Sequence, residues 1–551
     1  MTRLSTELRD RAFRWIADDP DTGSRAELQR VLATAMAGDA AAVEDLADRM
    51  SGMLTFGTAG LRGPLRAGPN GMNRAVVVRA TAGVAEWLRA KGFAGGMVIV
   101  GRDARHGSAE FADAAAGVLA GAGFGVRVLP GPLPTPVTSF LVRARQAVAG
   151  IQITASHNPP ADNGYKLYVG DGSQIAPPDD WLIEAAIRGA PAAVSVPTLG
   201  GAAPFSESDV DDYLDRVAAL PRGTARDIRI ALTPMHGVGG QTAVEALRRS
   251  GFTDVRVVVE QAVPDPEFPT VAFPNPEEPG APDLLLRLAS DVDAELAVAL
   301  DPDGDRCALG VRDRDGSWRM LRGDETGALL GWHILSTVDR VAHPDPLVAT
   351  TIVSSSLLKS IAAAAGARYA ETLTGFKWLV RAGSGLIYAY EEALGHCCDP
   401  DFVRDKDGIS AAVLAADLTA TLKAAGRTLL DALDDLYVQH GLHVTEPVTV
   451  RAAEPARLMG AVRAAPPDSL AGTAVEVADL LPDANVVRLT GERLRVVIRP
   501  SGTEPKLKAY LQVVEPVGEP AQLDQARTDA AKRMSTVREA VSGLLAATEN
   551  G

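Results

Sequence analysis

The chain has 551 residues, and 55 Lys plus Arg against 70 Asp plus Glu leave it a formal charge of −15. At 46% hydrophobic and 23% charged it has the composition of folded globular domains; at roughly 100 to 200 residues each it holds three to five of them, which excludes intrinsic disorder, a collagen and a disulfide scaffold. A pI near 5.1 without a basic run argues against nucleic acid as the main partner, while local basic pockets for phosphate stay open.

Met1 to Pro20 mixes Arg3, Glu7, Arg9, Asp10 and Arg11 with apolar residues at helical spacing, which is unlike the apolar core of a signal peptide. No run of about 18 apolar residues occurs elsewhere, so a cytoplasmic protein with no membrane partner is expected. Leu28, Val31, Leu32, Val43 and Leu46 continue the helical spacing to about residue 50. From Arg74 the chain alternates: a helix to Lys91, a strand Met97 to Gly101, a helix Ser108 to Ala122, a strand Val126 to Leu129, a helix after Pro136 and a strand Ile151 to Thr154. That alternation predicts α/β layers. Pro- and Gly-rich segments, Ala190 to Pro204 and Ala262 to Pro282, punctuate a second such unit with strands Ile228 to Thr233, Val255 to Val259 and Leu296 to Leu300. A third unit has Leu347 to Val353 and Leu386 to Tyr390 as strands and Ser356 to Ala365 as helix, and runs to about His440. The last hundred residues read as α+β: strands Val486 to Leu489, Leu494 to Ile498 and Leu507 to Val513, a Thr490-Gly491-Glu492 turn, and a helix Gln522 to Leu545.

Cys307, Cys397 and Cys398, an odd number without secretion signals, read as reduced thiols, buried or half-buried, because no CxxC pair or zinc spacing is present. Five segments carry candidate chemistry. Thr154-Ala155-Ser156-His157-Asn158-Pro159 follows a strand, where an α/β protein displays a nucleophile; a structural turn is the alternative. Asp301-Pro302-Asp303-Gly304-Asp305-Arg306 also follows an apolar strand. Two carboxylates about 4 Å apart repel by ~4 kcal/mol at an effective dielectric of 20, so three at alternate positions call for a cation, and oxygen ligands alone favour Mg2+ over zinc. A calcium loop fails because its twelfth position is Arg312 where a Glu is required, and a solvated turn sits poorly after a buried strand. Arg499-Pro500-Ser501-Gly502-Thr503-Glu504-Pro505-Lys506, between antiparallel strands, offers an Arg fork, hydroxyls and freed amides to a phosphate, or makes a plain hairpin loop. Glu391 and Glu392, after another strand, suit sugar hydroxyls or simply begin a charged helix. Gly57-Thr58-Ala59-Gly60-Leu61-Arg62-Gly63 allows close backbone approach and brings Arg62 for an anion.

Together and in this order, these segments resemble the α-D-phosphohexomutase superfamily of phosphoglucomutases and phosphomannomutases. The likeness covers nearly the whole chain and rests on TASHNP, DPDGDR and RPSGTEPK. FGTAGLRG followed by GPNGMN is most similar to the longer branch, which also contains phosphopentomutase and glucose-1,6-bisphosphate synthase. The resemblance implies an α/β fold of four domains around a central cleft, the last of them mobile. These are 1–205, a helical extension with α/β domain I and the phosphoserine loop; 206–322, α/β domain II with the metal loop; 323–445, α/β domain III with the sugar loop; and 446–551, an α+β domain IV with the phosphate loop.

It further implies that Ser156 is phosphorylated, that Asp301, Asp303 and Asp305 bind Mg2+ with a phosphoserine oxygen, and that His157 and Arg306 lie beside the phosphoryl group, with Arg62 also counted among the catalytic residues. Lys166 is placed for proton transfer or charge stabilisation. Among only nine lysines, Lys166 and Lys377, in Thr374-Gly375-Phe376-Lys377, stand out. Glu391 matches the sugar-binding Glu, with Glu392 in its place under a one-residue shift. Gly375 and Lys377 join the substrate side, and Arg499, Ser501, Gly502, Thr503 and Lys506 grip the distal phosphate. The implied activity interconverts hexose 1- and 6-phosphates through a bisphosphate, with a sugar 1,6-bisphosphate as activator and a monomer or homodimer as assembly. Ala393 departs from the Ser that many hexose-specific members carry, which opens the sugar preference to pentoses. Phosphopentomutase, bisphosphate synthase, phosphatase and a non-catalytic phosphosugar-binding protein are the alternatives; the last is expected to have lost Ser156 or the Asp triplet.

Overall fold

The computed structural model describes residues 4–56, 60–451, 454–500 and 506–550, the last four of these by their backbone alone. The chain forms two compact units, one of Met1–Arg222, Arg226–Met320 and Gly395–Asp417, the other of Gly223–Ala225, Leu321–Leu394 and Leu418–Gly551.

The first unit opens with helices Thr6–Asp18, Thr22–Met36 and Ala40–Arg49. Ser5, Asp21 and Asp39 precede them, and each side chain accepts a first-turn N–H that the helix itself leaves unpaired. Their inward residues Leu28, Leu32 and Leu46 share a core with the first sheet. That sheet has the order Leu61–Pro64, Asp162–Val169, Ala149–Ile153, Met97–Arg102, Gly125–Val128, Ala203–Pro204. Met97–Arg102 runs parallel to both its neighbours, with the intervening helices Ser108–Gly121 and Thr135–Ala144 as crossovers. Asp162–Val169 then returns antiparallel. The sequence does not mark it as a strand because it does not alternate: Asn163 to Tyr168 are all buried, so the period of two that marks a half-exposed strand is absent.

A second sheet in this unit has the order Trp318–Met320, Cys307–Arg312, Leu296–Leu300, Arg229–Thr233, Asp254–Val257. Leu296–Leu300 is wholly buried, which explains its unbroken apolar run, and it pairs antiparallel with Cys307–Arg312 from Leu300↔Cys307 onward. Residues 301–306 therefore form the connection of a hairpin. Gly304 takes φ +66° there, a conformation that costs glycine little.

The second unit contains the parallel strands Arg368–Thr372, Leu347–Thr351 and Leu386–Glu391, then an antiparallel sheet ordered Leu442–Arg451, Lys506–Glu515, Leu494–Pro500, Val487–Gly491, Thr473–Asp479, Ser469–Leu470. The final helix Leu523–Asn550 packs on this sheet and buries Ala530, Met534, Val537, Val541 and Leu545, spaced by three and four. The hairpin turn differs from the sequence expectation. Gly491 pairs with Leu494, so Glu492-Arg493 is the turn, with Arg493 at φ +55°. Three α/β layers followed by an α+β region agree with the predicted fold class. Among the described residues no single helix is long and apolar enough to cross a membrane.

Candidate active site

In the first unit Ser156 and the Asp301 loop stand at the carboxyl ends of the buried strands Ala149–Ile153 and Leu296–Leu300. Ser156 stands just beyond Ala149–Ile153 at φ +56°, and its own N–H donates to Thr154 Oγ1 at 2.9 Å. Its Oγ donates to Asp301 Oδ2 at 2.9 Å and lies 3.1 Å from His157 Nδ1. The neighbouring turn is tied by Arg62, which donates to Asn158 Oδ1 at 3.2 Å. Gly60 reaches this region by close approach: at φ +90°, a Cβ there would lie 2.3 Å from the Tyr165 carbonyl oxygen. Gly57, Thr58 and Ala59 lie outside the described residues.

Asp301, Asp303 and Asp305 are fully buried, and one oxygen of each lies within 4.8 Å of the others. Their outer oxygens are occupied. Asp301 Oδ1 accepts the Arg306 N–H at 3.0 Å, Asp303 Oδ2 accepts from Thr135 Oγ1 and Lys166 Nζ at 2.6 Å each, and Asp305 Oδ2 accepts from Lys166 Nζ at 2.6 Å. Asp303 Oδ1 and Asp305 Oδ1 are buried without a hydrogen-bond partner. Two buried, unpartnered carboxylate oxygens beside a third carboxylate are the donor set of a hard divalent cation, so the residues fit Mg2+.

The electrostatics agree. Burial, then the charges of Asp303 and Asp305, push Asp301 well above the carboxylate range. Burial opposes ionisation of Asp303 too, but the Lys166 ammonium holds it below its ordinary value. Lys166 would be lowered by burial, yet Asp303 and Asp305 raise it and keep it cationic. Burial, then the charges of Arg306 and Arg62, keep His157 neutral well below its ordinary range.

Three contributors escaped the sequence reading. Lys406 Nζ lies 3.3 Å from Asp305 Oδ2 and 3.9 Å from Asp405 Oδ1, and Asp405 accepts from Tyr168 and Gln174 at 2.8 Å each. Its signal was the charged run Arg404-Asp405-Lys406-Asp407, which is buried or nearly so rather than solvated. Thr135 holds Asp303, and Arg105 supports the Ser156 turn from behind; nothing local in the sequence marks either.

In the second unit Glu392 accepts from Ser354 Oγ at 2.8 Å and Thr351 Oγ1 at 3.1 Å. Burial, then the charge of Glu391, pushes its carboxyl up to about 7. Glu391 ends the strand Leu386–Glu391 and is half-buried, and no helix starts there. Gly375, at φ +108°, precedes the short helix Phe376–Leu379 with Lys377 in it. Arg499 Nη1 donates to Thr374 Oγ1 at 2.6 Å, which brings the Thr374 segment and the Arg499 strand together. Lys506 begins the next strand opposite Arg451. Ser501, Gly502 and Thr503 lie outside the described residues.

Comparison with known proteins accords with this geometry. Family models match as Phosphoglucomutase/phosphomannomutase, alpha/beta/alpha domain I over residues 53–192, domain II over 211–316 and domain III over 322–440. The chain is 40% identical over 457 residues to a probable phosphomannomutase of Haemophilus influenzae, covering 80% of this chain and 93% of that protein. It is 33% identical over 547 residues to the Homo sapiens phosphopentomutase, with 87% and 88% covered. A Burkholderia thailandensis phosphoglucomutase/phosphomannomutase family protein shares the fold with TM-score 0.69 at 21% identity, over 89% of this chain and 97% of that one. The chain therefore belongs to the phosphoglucomutase/phosphomannomutase family of the α-D-phosphohexomutase superfamily, and it is a phosphosugar mutase, an intramolecular phosphotransferase acting on small phosphosugars.

Proposed function

We propose that the enzyme interconverts hexose 1-phosphate and hexose 6-phosphate, with glucose or mannose as the sugar, through phosphoserine at Ser156 and a bisphosphosugar intermediate. The observation that carries this reading is the Ser156 hydroxyl, buried and 2.9 Å from Asp301 beside two further carboxylates and Lys166. Phosphate monoesters are slow to hydrolyse unaided, so a phosphoryl group can be stored on a serine that excludes water.

In the forward step the free hydroxyl of the phosphosugar forms a new P–O bond as the bond from phosphorus to Ser156 Oγ breaks. The sugar is left as a bisphosphate. The proton lost by that hydroxyl is balanced by one returned to Ser156 Oγ, and neutral His157, 3.1 Å away, is placed to exchange it. Lys166 remains an ammonium and offsets charge on the transferring oxygens, as do Arg62 and Arg306. Asp301, Asp303 and Asp305 would hold Mg2+, which would supply further positive charge at those oxygens. Return of the other phosphate to Ser156 completes the cycle, and a sugar 1,6-bisphosphate starts it by phosphorylating the resting serine. Glu392, fixed by Thr351 and Ser354, is the more firmly held of the two glutamates and receives a sugar hydroxyl on this reading, and Arg499 takes the distal phosphate.

Pentose 1-phosphates are the second reading, favoured by Ala393, which offers no hydroxyl where many hexose enzymes have one. Steady-state assays of glucose, mannose and ribose 1-phosphates with bisphosphate activator test both, with free phosphate followed in parallel. The expected order places a hexose first and phosphate release far below isomer formation. A tenfold higher kcat/KM for ribose 1-phosphate, about 1.4 kcal/mol, would reverse the assignment.

A further inference from the structure

Behind the Ser156 turn lies a buried guanidinium. Arg105 follows the strand Met97–Arg102, and its side chain is 1% exposed. Nη2 donates to the carbonyl oxygens of Ser156 at 2.7 Å and Asn158 at 2.6 Å, and Nη1 to those of Pro159 at 2.7 Å and Asp162 at 3.3 Å. One side chain thus gathers four carbonyls from the seven-residue stretch 156–162. Asp103 backs it: Oδ2 lies 3.4 Å from the guanidinium Nε, and Oδ1 accepts the Arg105 N–H at 3.0 Å and the Ser108 hydroxyl at 2.6 Å. The Phe268 ring, 4.8 Å from the guanidinium carbon, covers the group.

The consequence follows from peptide geometry. In a planar trans peptide the N–H points opposite to the carbonyl. Anchoring the Ser156 carbonyl on Arg105 therefore turns the His157 N–H to the other side of the chain, and among the described residues that N–H has no acceptor. It is the first backbone donor after Ser156 Oγ. The left-handed conformation at Ser156 is one a serine seldom adopts, and the Arg105 contact opposes its relaxation.

We propose that Arg105 is a positioning residue for phosphoryl transfer: by holding the Ser156 carbonyl it aims the His157 backbone N–H at an oxygen of the phosphoryl group. The inference rests on the phosphoserine reading above. A lysine keeps the charge but cannot span four carbonyls, because it lacks the planar fork. A donor aimed at charge that develops in the transition state affects kcat more than ground-state binding.

The test uses the full chain, Arg105→Lys beside wild type, with Ser156 phosphate occupancy verified by intact mass. We expect kcat to fall at least tenfold while KM for glucose 1-phosphate stays within threefold, and we expect added guanidinium, but not KCl of equal ionic strength, to restore part of the kcat of Arg105→Ala. A wild-type kcat in Arg105→Lys overturns the proposal, and so does a loss of kcat that only tracks a loss of folded protein. If Arg105→Lys does not fold, Asp103→Asn, which removes the charge behind the guanidinium, is read by the same kcat and KM criteria. Failure of the underlying reading is a separate observation: wild type turning over without any phosphate on Ser156.

Discussion

Around Ser156 the carboxylates and Lys166 are buried and multiply tied. Lys166 bridges two aspartates, Asp301 holds both the Ser156 hydroxyl and the Arg306 N–H, and Thr135 secures Asp303. In the second unit the groups assigned to the sugar and its distal phosphate are only half-buried, and they are held chiefly by hydroxyls: Glu392 by Ser354 and Thr351, Arg499 by Thr374. The contrast separates two tasks. Charge that must stabilise a transferring phosphoryl group is preorganised, because reorganising it during the reaction would cost rate. Groups that on the proposed reading accept a sugar in more than one orientation are held by hydroxyl partners, which carry no charge of their own and can adjust.

The sharpest way to break this comparison is Ser156→Ala. If the first centre is the seat of chemistry, mutase turnover falls by about a thousandfold or more, and intact mass shows one phosphate on wild type and none on the variant. The fold should hold, because the change removes one small hydroxyl. Retention of most activity would move the chemistry elsewhere.

Arg499→Ala probes the other side. Loss of a charge-assisted contact worth roughly 1.5 to 3 kcal/mol should lower kcat/KM about ten- to a hundredfold. Ser156 phosphorylation by a bisphosphate donor should survive, since the ties of Arg499 among the described residues, to Thr374 and Pro500, lie within the second unit. Unchanged kcat/KM in Arg499→Ala would show that the distal phosphate is held by other groups.

The smallest effect concerns Glu392. Its carboxyl, at about 7 in the folded chain against an ordinary 4.5, binds its proton more tightly when folded. The folded state therefore gains from protonation below pH 4.5, and that gain is lost as pH rises through 7. Allowing for its partial contact with water, the swing is about 1 kcal/mol. Thermal midpoints of wild type and Glu392→Gln, compared at pH 5.5 and 8, should diverge, with wild type losing more on going to pH 8. Parallel curves would mean the carboxylate is better solvated than its hydroxyl nest suggests.

Residues that sit together in one string, as Asp301, Asp303 and Asp305 do, were legible because a single loop delivers them. Lys166 was legible through the family resemblance and the scarcity of lysine, although the strand that carries it was not, since burial on both faces removed the alternation. Lys406, Thr135 and Arg105 were illegible for another reason. Each acts on a segment far away in sequence, and only the sheet topology brings it there. The Glu492-Arg493 turn was missed by one residue because Gly491, the residue that most suggests a turn, is still paired in the ladder.

The pairing of Leu300 with Cys307 makes the length of the acidic loop a quantised property. Both ends of residues 301–306 are clamped into one antiparallel ladder, so an added or deleted residue has nowhere to go but the loop or the register. In the loop it would displace a carboxylate from a fully buried cluster. In the register it would send the buried side chains of Cys307–Arg312 to the opposite face of the sheet. The acidic hairpin therefore works as a caliper with a fixed jaw: its side chains can be exchanged one at a time, but its span cannot be changed by a single residue without losing either the strand or the site.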